Sequence, residues 1–523
     1  MKLNSQQKRK QFLSKLKSIV IPVIAYGGVA GIMTGFIVSL FNLCANFLGK
    51  VSGQIYTYVR ANPAFIPLLF AGLVVLALCM YALHKFCPQV RGSGIPQTEG
   101  VLRGLVTLRW LRTLICTIVG SFISFFAGLS MGSEGPSVQI GAMTAQGTSE
   151  LMRSRLAWRR YVITGGASAG LAVAFNAPLT GIVFALEEAH RRFTPMILMT
   201  ASSSVIFGTV TYRLFSRLWG GGDHVLFDMG VITPLPTSSA WMLIILGIVC
   251  GAGAIFFNFA IIRSQRFMDK HTKELPYWAR LIIVFLLTGV TGLLLLDVNG
   301  GGHGLIMKIV NLDFAWKMLL LLFVVKMIMI VLCVNAGSTG GLFIPMLAIG
   351  ALVGGLCGKL FMAMGLDIVY YKAVVCIAMT TFFGASVRAP ITAIVLILEI
   401  TGYSAGFLSA AIAIFTAYMV AELLGNRPIY DSMLERYCEI ENKGVKPKSV
   451  TIEVQIELGA FLIGKSVNDI LWPANCLVKN LVRGDESIVP DGETLIKVGD
   501  KLVIKVETND PKKTYEYIKD LVA

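Results

Sequence analysis

Between residues 19 and about 424 the chain is almost continuously apolar, yet this stretch does not divide into helices of equal length. A bilayer core takes about 20 residues of α-helix to cross. The runs 19–48, 64–83, 241–262 and 318–334 are long enough. The runs 137–145, 182–186 and 342–347 are too short, and each adjoins glycine or proline. In hydrocarbon every backbone N–H and C=O needs a partner, so a helix that stops at membrane depth must end inside protein or at a wet cavity. The pattern predicts an all-α polytopic membrane protein with many tilted and broken helices around an ion or solute site.

The broken runs come in pairs. Gly132-Ser-Glu-Gly-Pro136-Ser-Val-Gln-Ile140-Gly-Ala142 and Gly341-Leu-Phe-Ile-Pro345-Met-Leu-Ala-Ile349-Gly-Ala351 share G-x-x-x-P-x-x-x-I-G-A at an offset of 209 residues. Ala177-Pro178-Leu-Thr-Gly-Ile-Val-Phe-Ala-Leu-Glu187 matches Ala389-Pro390-Ile-Thr-Ala-Ile-Val-Leu-Ile-Leu-Glu399 at an offset of 212. Two signatures in the same order at nearly the same spacing indicate a duplicated unit. Duplicated halves with interrupted helices are how many transporters gather helix N-termini around a site near the bilayer midplane.

Charge separates the rest of the chain into parts. Only 15% of residues are charged, too few for a soluble protein of this size, so the net charge of +16 does not point to nucleic acid. Residues 1–17 carry six basic side chains and no acid, which predicts a cytoplasmic N-terminal segment against anionic lipid headgroups. A cleaved signal peptide is not expected, for want of a short apolar core followed by an A-x-A-like site. The ten cysteines show neither C-x-x-C nor His-Cys spacing, so neither a disulfide framework nor a metal site is expected. Residues 441–523 hold 12 basic and 13 acidic residues, and this near-neutral tail reads as a small soluble α+β domain. Strands are expected over 451–457, 475–483 and 495–506, with a terminal helix opened by Asp510-Pro511.

Four places can carry chemistry. Glu134, with Gly135 behind it, is an ionisable residue at membrane depth between two apolar runs. It is either a carboxylate cap on the helix that starts at Pro136 or a group that competes with an anion at a glycine-rich helix end and moves away when protonated. Ser93, in Gly92-Ser-Gly-Ile-Pro96, is either an N-cap or a hydroxyl donor to a dehydrated anion. The amides of Leu342 and Phe343 would face the same space, so the anion would be held by dipoles and hydroxyls, loosely enough to leave. Glu187 and Glu188 precede His190, Arg191 and Arg192. They either pair with those cations or, since adjacent carboxylates repel and one can hold a proton, form a relay. His190 itself is expected at the surface.

Taken together, these segments resemble the CLC family of chloride channels and proton-coupled chloride transporters over residues 18 to 437. Gly92-Ser-Gly-Ile-Pro96, Gly132-x-Glu134-Gly-Pro136 and Gly341-x-Phe343-x-Pro345 are similar to its three anion-site motifs, in its order, and Arg427-Pro-Ile-Tyr430 looks like its last short helix. The resemblance implies an inverted-repeat fold, with halves at roughly 18–220 and 235–440 inside a transport domain of 18–440, and a homodimer with one pathway per subunit. It implies Ser93 and Tyr430 as hydroxyl ligands of chloride, Leu342, Phe343 and Gly135 at the anion site, Glu134 as the gating glutamate, Glu188 as the internal proton-transfer residue and Glu187 in support. One departure is Ser133, where the family usually has Lys or Arg. It predicts a weaker outer anion site and a shifted pH optimum. The tail, 441–523, resembles a TrkA-C (RCK C-terminal) domain. That resemblance implies either a dimer-stabilising module or a sensor for a nucleotide such as cyclic di-AMP, at the stretch Arg483, Ile488, Val489 and Pro490.

The expected function is voltage- and pH-sensitive chloride transport across the plasma membrane, coupled to proton exchange, with both termini cytoplasmic and no cofactor. A passive chloride channel would use the same anion ligands, and Glu188 is the residue that argues against it. A membrane-anchored nucleotide sensor with a vestigial core is a lesser reading. A potassium channel is disfavoured because no T-V-G-Y-G filter occurs. Nothing suggests an enzyme, since there is no nucleophile elbow, Walker A loop or H-E-x-x-H.

Overall fold

The computed structural model describes residues 20–218, 225–271, 275–441 and 447–522. The basic segment 1–17 lies outside them. The first half contains α1 (Ile21–Ala61), α2 (Ile66–Phe86), α3 (Ile95–Leu102), α4 (Trp110–Ala127), α5 (Glu134–Leu151), α6 (Leu156–Phe175), α7 (Pro178–Phe184) and α8 (Pro195–Leu218). A π-helical turn, Ala185–Ala189, prolongs α7. The second half contains α9 (Ala240–His271), α10 (Tyr277–Leu294), α11 (His303–Val310), α12 (Trp316–Asn335), α13 (Phe343–Ala363), α14 (Tyr371–Val387), α15 (Pro390–Thr401), α16 (Phe407–Leu423) and α17 (Ile429–Glu441). Among the described residues, ten helical segments are long and apolar enough to cross a membrane.

The two repeats share backbone detail. Helices α6 and α14 each end on a left-handed residue, Asn176 (φ 51°) and Arg388 (φ 64°). Each is followed by an alanine with nearly the same dihedrals, Ala177 at −127°, 79° and Ala389 at −122°, 75°, and then by the proline that starts α7 or α15. Proline suits that first turn because its missing N–H would have no partner there. At the centre, Gly132 and Gly341 exchange reciprocal hydrogen bonds of 2.8 and 2.6 Å, as a two-fold relation between the halves requires. This is the inverted-repeat arrangement.

Two of the expected short pieces are longer than their sequence pattern suggested. Residues 137–145 lie inside α5, 18 residues long, and 342–347 open α13, 21 residues long. Their glycines look like helix breakers but serve close packing. A Cβ on Gly141 would stand 2.2 Å from the Gly166 carbonyl oxygen, so α5 and α6 touch backbone to backbone. Interiors packed this closely leave no room for even one methyl group.

The tail forms an antiparallel sheet in the order β1 (Lys448–Gln455), β4 (Lys501–Thr508), β2 (Cys476–Arg483), β3 (Glu486–Ile488), covered by α18 (Pro511–Val522). Of residues 495–506, expected as strand, those from Lys501 on lie in β4, while Leu495 makes an isolated bridge to Ser466 and a turn at 498–499 precedes β4; 486–488 supply a strand that was not expected. The tail is not tethered only by its linker. Its apolar core is continuous with Trp158 and Tyr161 on α6, and Trp158 meets Phe461 edge to face at 5.3 Å.

Candidate functional site

Three helix N-termini converge where the repeats meet. The Gly132–Gly341 bridge sets the start of α5 beside the start of α13. The start of α3 is locked against both: a Cβ on Gly135 would lie 2.1 Å from the Ser93 carbonyl oxygen and 2.8 Å from Gly341 Cα, so only glycine fits. Free N–H groups and dipole ends at such termini attract negative charge.

Side chains at this junction are buried without partners, which is costly unless something else satisfies them. Ser93 is 1% exposed and its Oγ has no hydrogen bond. It does not cap α3: Gly94 holds that position at φ 86°, and its amide donates to Gln97 Oε1 at 3.0 Å. The N-cap reading of Ser93 is therefore corrected. Glu134 stands in the first turn of α5, after Ser133, rather than ahead of a helix beginning at Pro136. Ser133 Oγ donates to Glu134 Oε1 at 3.1 Å, while Oε2 has no partner. Leu342 and Phe343 are fully buried at the start of α13, with the Phe343 ring between Phe175 at 4.6 Å and Phe383 at 4.0 Å. Tyr430, on the first turn of α17, is 1% exposed, its hydroxyl is unpartnered, and Glu188, Glu99 and Glu134 are its acidic neighbours.

Glu188 lies in the π-helical turn, a feature frequent at functional sites. It is 4% exposed and neither carboxylate oxygen has a partner. Glu187 points elsewhere. Its carboxylate accepts from the amides of Ile391 and Thr392 at 3.0 and 2.6 Å and from the Thr392 hydroxyl at 2.6 Å, at the N-terminus of α15. Of the two readings of Glu187, pairing with His190, Arg191 and Arg192 does not hold, because the α15 amides take both oxygens. His190 is half-buried rather than superficial, with Nε2 2.7 Å from Thr164 Oγ1.

Three charged residues here escaped the sequence reading. Glu99, on the short helix that follows Ser93, is 1% exposed, and its only side-chain partner among the described residues is Arg103 at 2.9 Å. Arg103 also binds Asp431 at 2.8 Å. Glu99 lacked the signal that marked Glu134, since Gln97, Thr98 and Gly100 surround it rather than an apolar run.

In the tail, the Arg483 guanidinium is engaged by buried Asp500 through two contacts of 2.8 Å and by the Leu495 carbonyl at 2.8 Å. Ile488 pairs with Leu481 across β2 and β3, Val489 is 85% exposed and Pro490 is half-buried. A phosphate-bearing ligand at this stretch would have to share Arg483 with Asp500.

With reciprocal repeats and three converging helix ends, the chain belongs to the CLC family: residues 71–422 match the voltage gated chloride channel family. Residues 451–519 match the TrkA-C domain. The H(+)/Cl(-) exchange transporter ClcA of Yersinia pseudotuberculosis is 32% identical over 428 residues, covering 79% of this chain and 87% of that protein. The ClcA of Salmonella paratyphi B is 32% identical over 425 residues, covering 80% of this chain and 89% of its own. The solved structure of a slow cyanobacterial Cl-/H+ antiporter superposes with a TM-score of 0.73 at 31% identity, covering 80% of this chain and 99% of that one. A CLC-type fluoride/proton antiporter, 21% identical, shares the fold at a TM-score of 0.64, covering 77% and 96%.

Proposed function

We propose that this membrane protein exchanges chloride for protons, as a transporter rather than an enzyme. The observation that carries the reading is the set of buried, unpartnered groups at the junction of the repeats: Ser93 Oγ, Glu134 Oε2, Tyr430 OH and the Glu188 carboxylate. Hydroxyls and helix-end amides suit an anion stripped of water, and free carboxylates suit a proton. Chloride is held by Ser93, Tyr430 and the amides of Leu342 and Phe343, beside Gly135. Deprotonated Glu134 displaces it outward. Protonated Glu134 swings away, and its proton passes to Glu188 and the cytoplasm. The similarity to exchangers named for H(+) and Cl(-) supports the same pair of substrates here.

The deciding experiment drives protons with a chloride gradient in liposomes, the membrane potential clamped near zero. Uphill proton movement in the wild type that vanishes in Glu188→Gln, while chloride still flows, supports exchange. Chloride flux without proton movement in either protein makes this a channel. We further read the assembly as a homodimer in the plasma membrane, with lipid on its outer apolar faces, both termini cytoplasmic, and transport sensitive to voltage and pH. The tail is a regulatory module, and cyclic di-AMP is the nucleotide to titrate against the full-length protein. No heat at high concentration would leave it as a dimer-stabilising module.

A further inference from the structure

Arg103 follows the last residue of α3, and its guanidinium is spent on three separate pieces of chain. Nη2 donates to Glu99 Oε2 on α3 at 2.9 Å, and Nη1 donates to Asp431 Oδ1 on α17 at 2.8 Å. Nε donates to the Ala189 carbonyl at 3.3 Å, and Nη2 also reaches the Glu188 carbonyl at 3.4 Å, both in the π-helical turn. Each piece carries one group of the transport site. Helix α3 begins two residues after Ser93, the turn contains Glu188, and Tyr430 immediately precedes Asp431.

A planar fork of five donors in fixed geometry can hold three acceptor sets at once, whereas an ammonium on a flexible stem cannot. The surrounding charges make the contact obligatory. Glu99 has no other cation bound to it among the described residues, its second oxygen being unpartnered, and the Glu188 carboxylate is a further acid beside it. Asp431 has a second cation, Arg191, at 2.7 Å, so it keeps one partner when Arg103 is lost and Glu99 keeps none.

We propose that Arg103 is the positioning residue that holds the Glu188 turn and the Tyr430 helix in register with the Ser93 helix, so that chloride binding and proton transfer stay linked. The assignment rests on the reading of Ser93, Glu188 and Tyr430 given above. It makes the two arms of the fork separable. Asp431→Asn weakens the hold on the Tyr430 helix alone, through both Arg103 and Arg191. Arg103→Gln frees the Glu188 turn and Glu99 and leaves the Tyr430 helix on Arg191 alone.

The test compares full-length wild type, Arg103→Gln, Arg103→Lys and Asp431→Asn. Chloride affinity is read by calorimetry on the purified protein in detergent, and the proton-to-chloride ratio is read in liposomes. Asp431→Asn should weaken chloride binding about threefold or more, as expected for weakened contacts to both Arg103 and Arg191 felt through a helix, with the ratio unchanged. Arg103→Gln should weaken binding as well and also lower the ratio, since chloride then slips without protons. Arg103→Lys should fall between wild type and Arg103→Gln in both affinity and ratio. A monodisperse Arg103→Gln protein with wild-type affinity and ratio overturns the proposal, as does one whose flux falls with both unchanged. If Arg103→Gln does not fold, Arg103→Lys decides, and an unchanged affinity and ratio sink the idea. If the wild type moves no protons, exchange fails as the function, and the affinity comparison still judges Arg103.

Discussion

Glu187 and Glu399 occupy equivalent places in the two repeats, and each caps the N-terminus of the helical segment that leads to the other. Glu187 accepts from the Ile391 and Thr392 amides at the start of α15, and Glu399 accepts from the Leu179 and Thr180 amides at the start of α7, at 2.8 and 2.7 Å. Even the hydroxyls match, Thr392 to Glu187 at 2.6 Å and Thr180 to Glu399 at 2.7 Å. Carboxylates at helix N-termini satisfy orphan amides and complement the dipole. Here the charge comes from the opposite repeat, so the caps also join the halves.

Removing either cap should therefore cost stability in equal measure. Glu187→Ala and Glu399→Ala should each lower the thermal midpoint in detergent, corresponding to about 1–3 kcal/mol for lost charged caps. Glu187→Gln, which keeps an acceptor, should lose less. If Glu187→Ala melts like wild type but stops proton movement, the carboxylate belongs to the relay instead of the cap.

Gly135→Ala tests how tightly the three helix ends are drawn together. The added methyl would meet the Ser93 carbonyl oxygen at 2.1 Å and Gly341 Cα at 2.8 Å, and backbone atoms cannot rotate away. Overpacking of this kind costs about 1–3 kcal/mol, enough to weaken chloride binding by roughly tenfold if it is taken up by parting α3 from α5. Calorimetry with chloride reads it directly, and an unchanged affinity would mean that the anion is bound elsewhere.

The motifs that make this junction were legible because glycine and proline are required there by backbone geometry, which leaves a fixed local pattern. The repeat was legible for the same reason. What the pattern concealed was long-range. The partners of Glu187 lie more than 200 residues away, and nothing near it in sequence distinguishes a cap from a relay. Ser93 looked like a cap because Ser before Gly-Ile-Pro often is one, whereas Gln97 reaches back to supply the capping oxygen. Glu99 was overlooked because Gln97-Thr98-Glu99-Gly100 reads as a polar turn, although every residue of α3 is buried. The strand expected over 495–506 begins only at Lys501, because Asp500 accepts from the Lys497 amide and closes a turn ahead of it.

Arg160 links the tail to the transport core. It donates through Nη1 to the Leu471 and Trp472 carbonyls of the tail at 2.9 and 2.8 Å, and through Nε and Nη2 to the carbonyl of Leu102, the last residue of α3. Arg160→Ala should loosen the tail, raising hydrogen exchange over 469–474, and should also raise it over α3. Exchange that rises in the tail but not in α3 would show that the tail moves independently of the helix that follows Ser93.

The same interface should depend on pH through Lys465. Its ammonium lies 2.9 Å from the Phe461 ring centroid and near Trp158, 7% exposed, donating to the Phe461 carbonyl at 2.7 Å. Burial pushes it down to about 7, with Asp469 opposing weakly. An unfolded lysine titrates near 10.4. Between about pH 7 and 10 the undocked or unfolded tail therefore binds more protons than the docked one, and stability rises with pH by at most about 1.4 kcal/mol per unit. Below pH 7 both forms are protonated and the dependence flattens. Hydrogen exchange of the tail should slow from pH 7 to pH 9 once corrected for intrinsic rates, and Lys465→Met should abolish the slope while raising protection at pH 7. A Lys465→Met protein that keeps the wild-type slope would assign the pH dependence to another group.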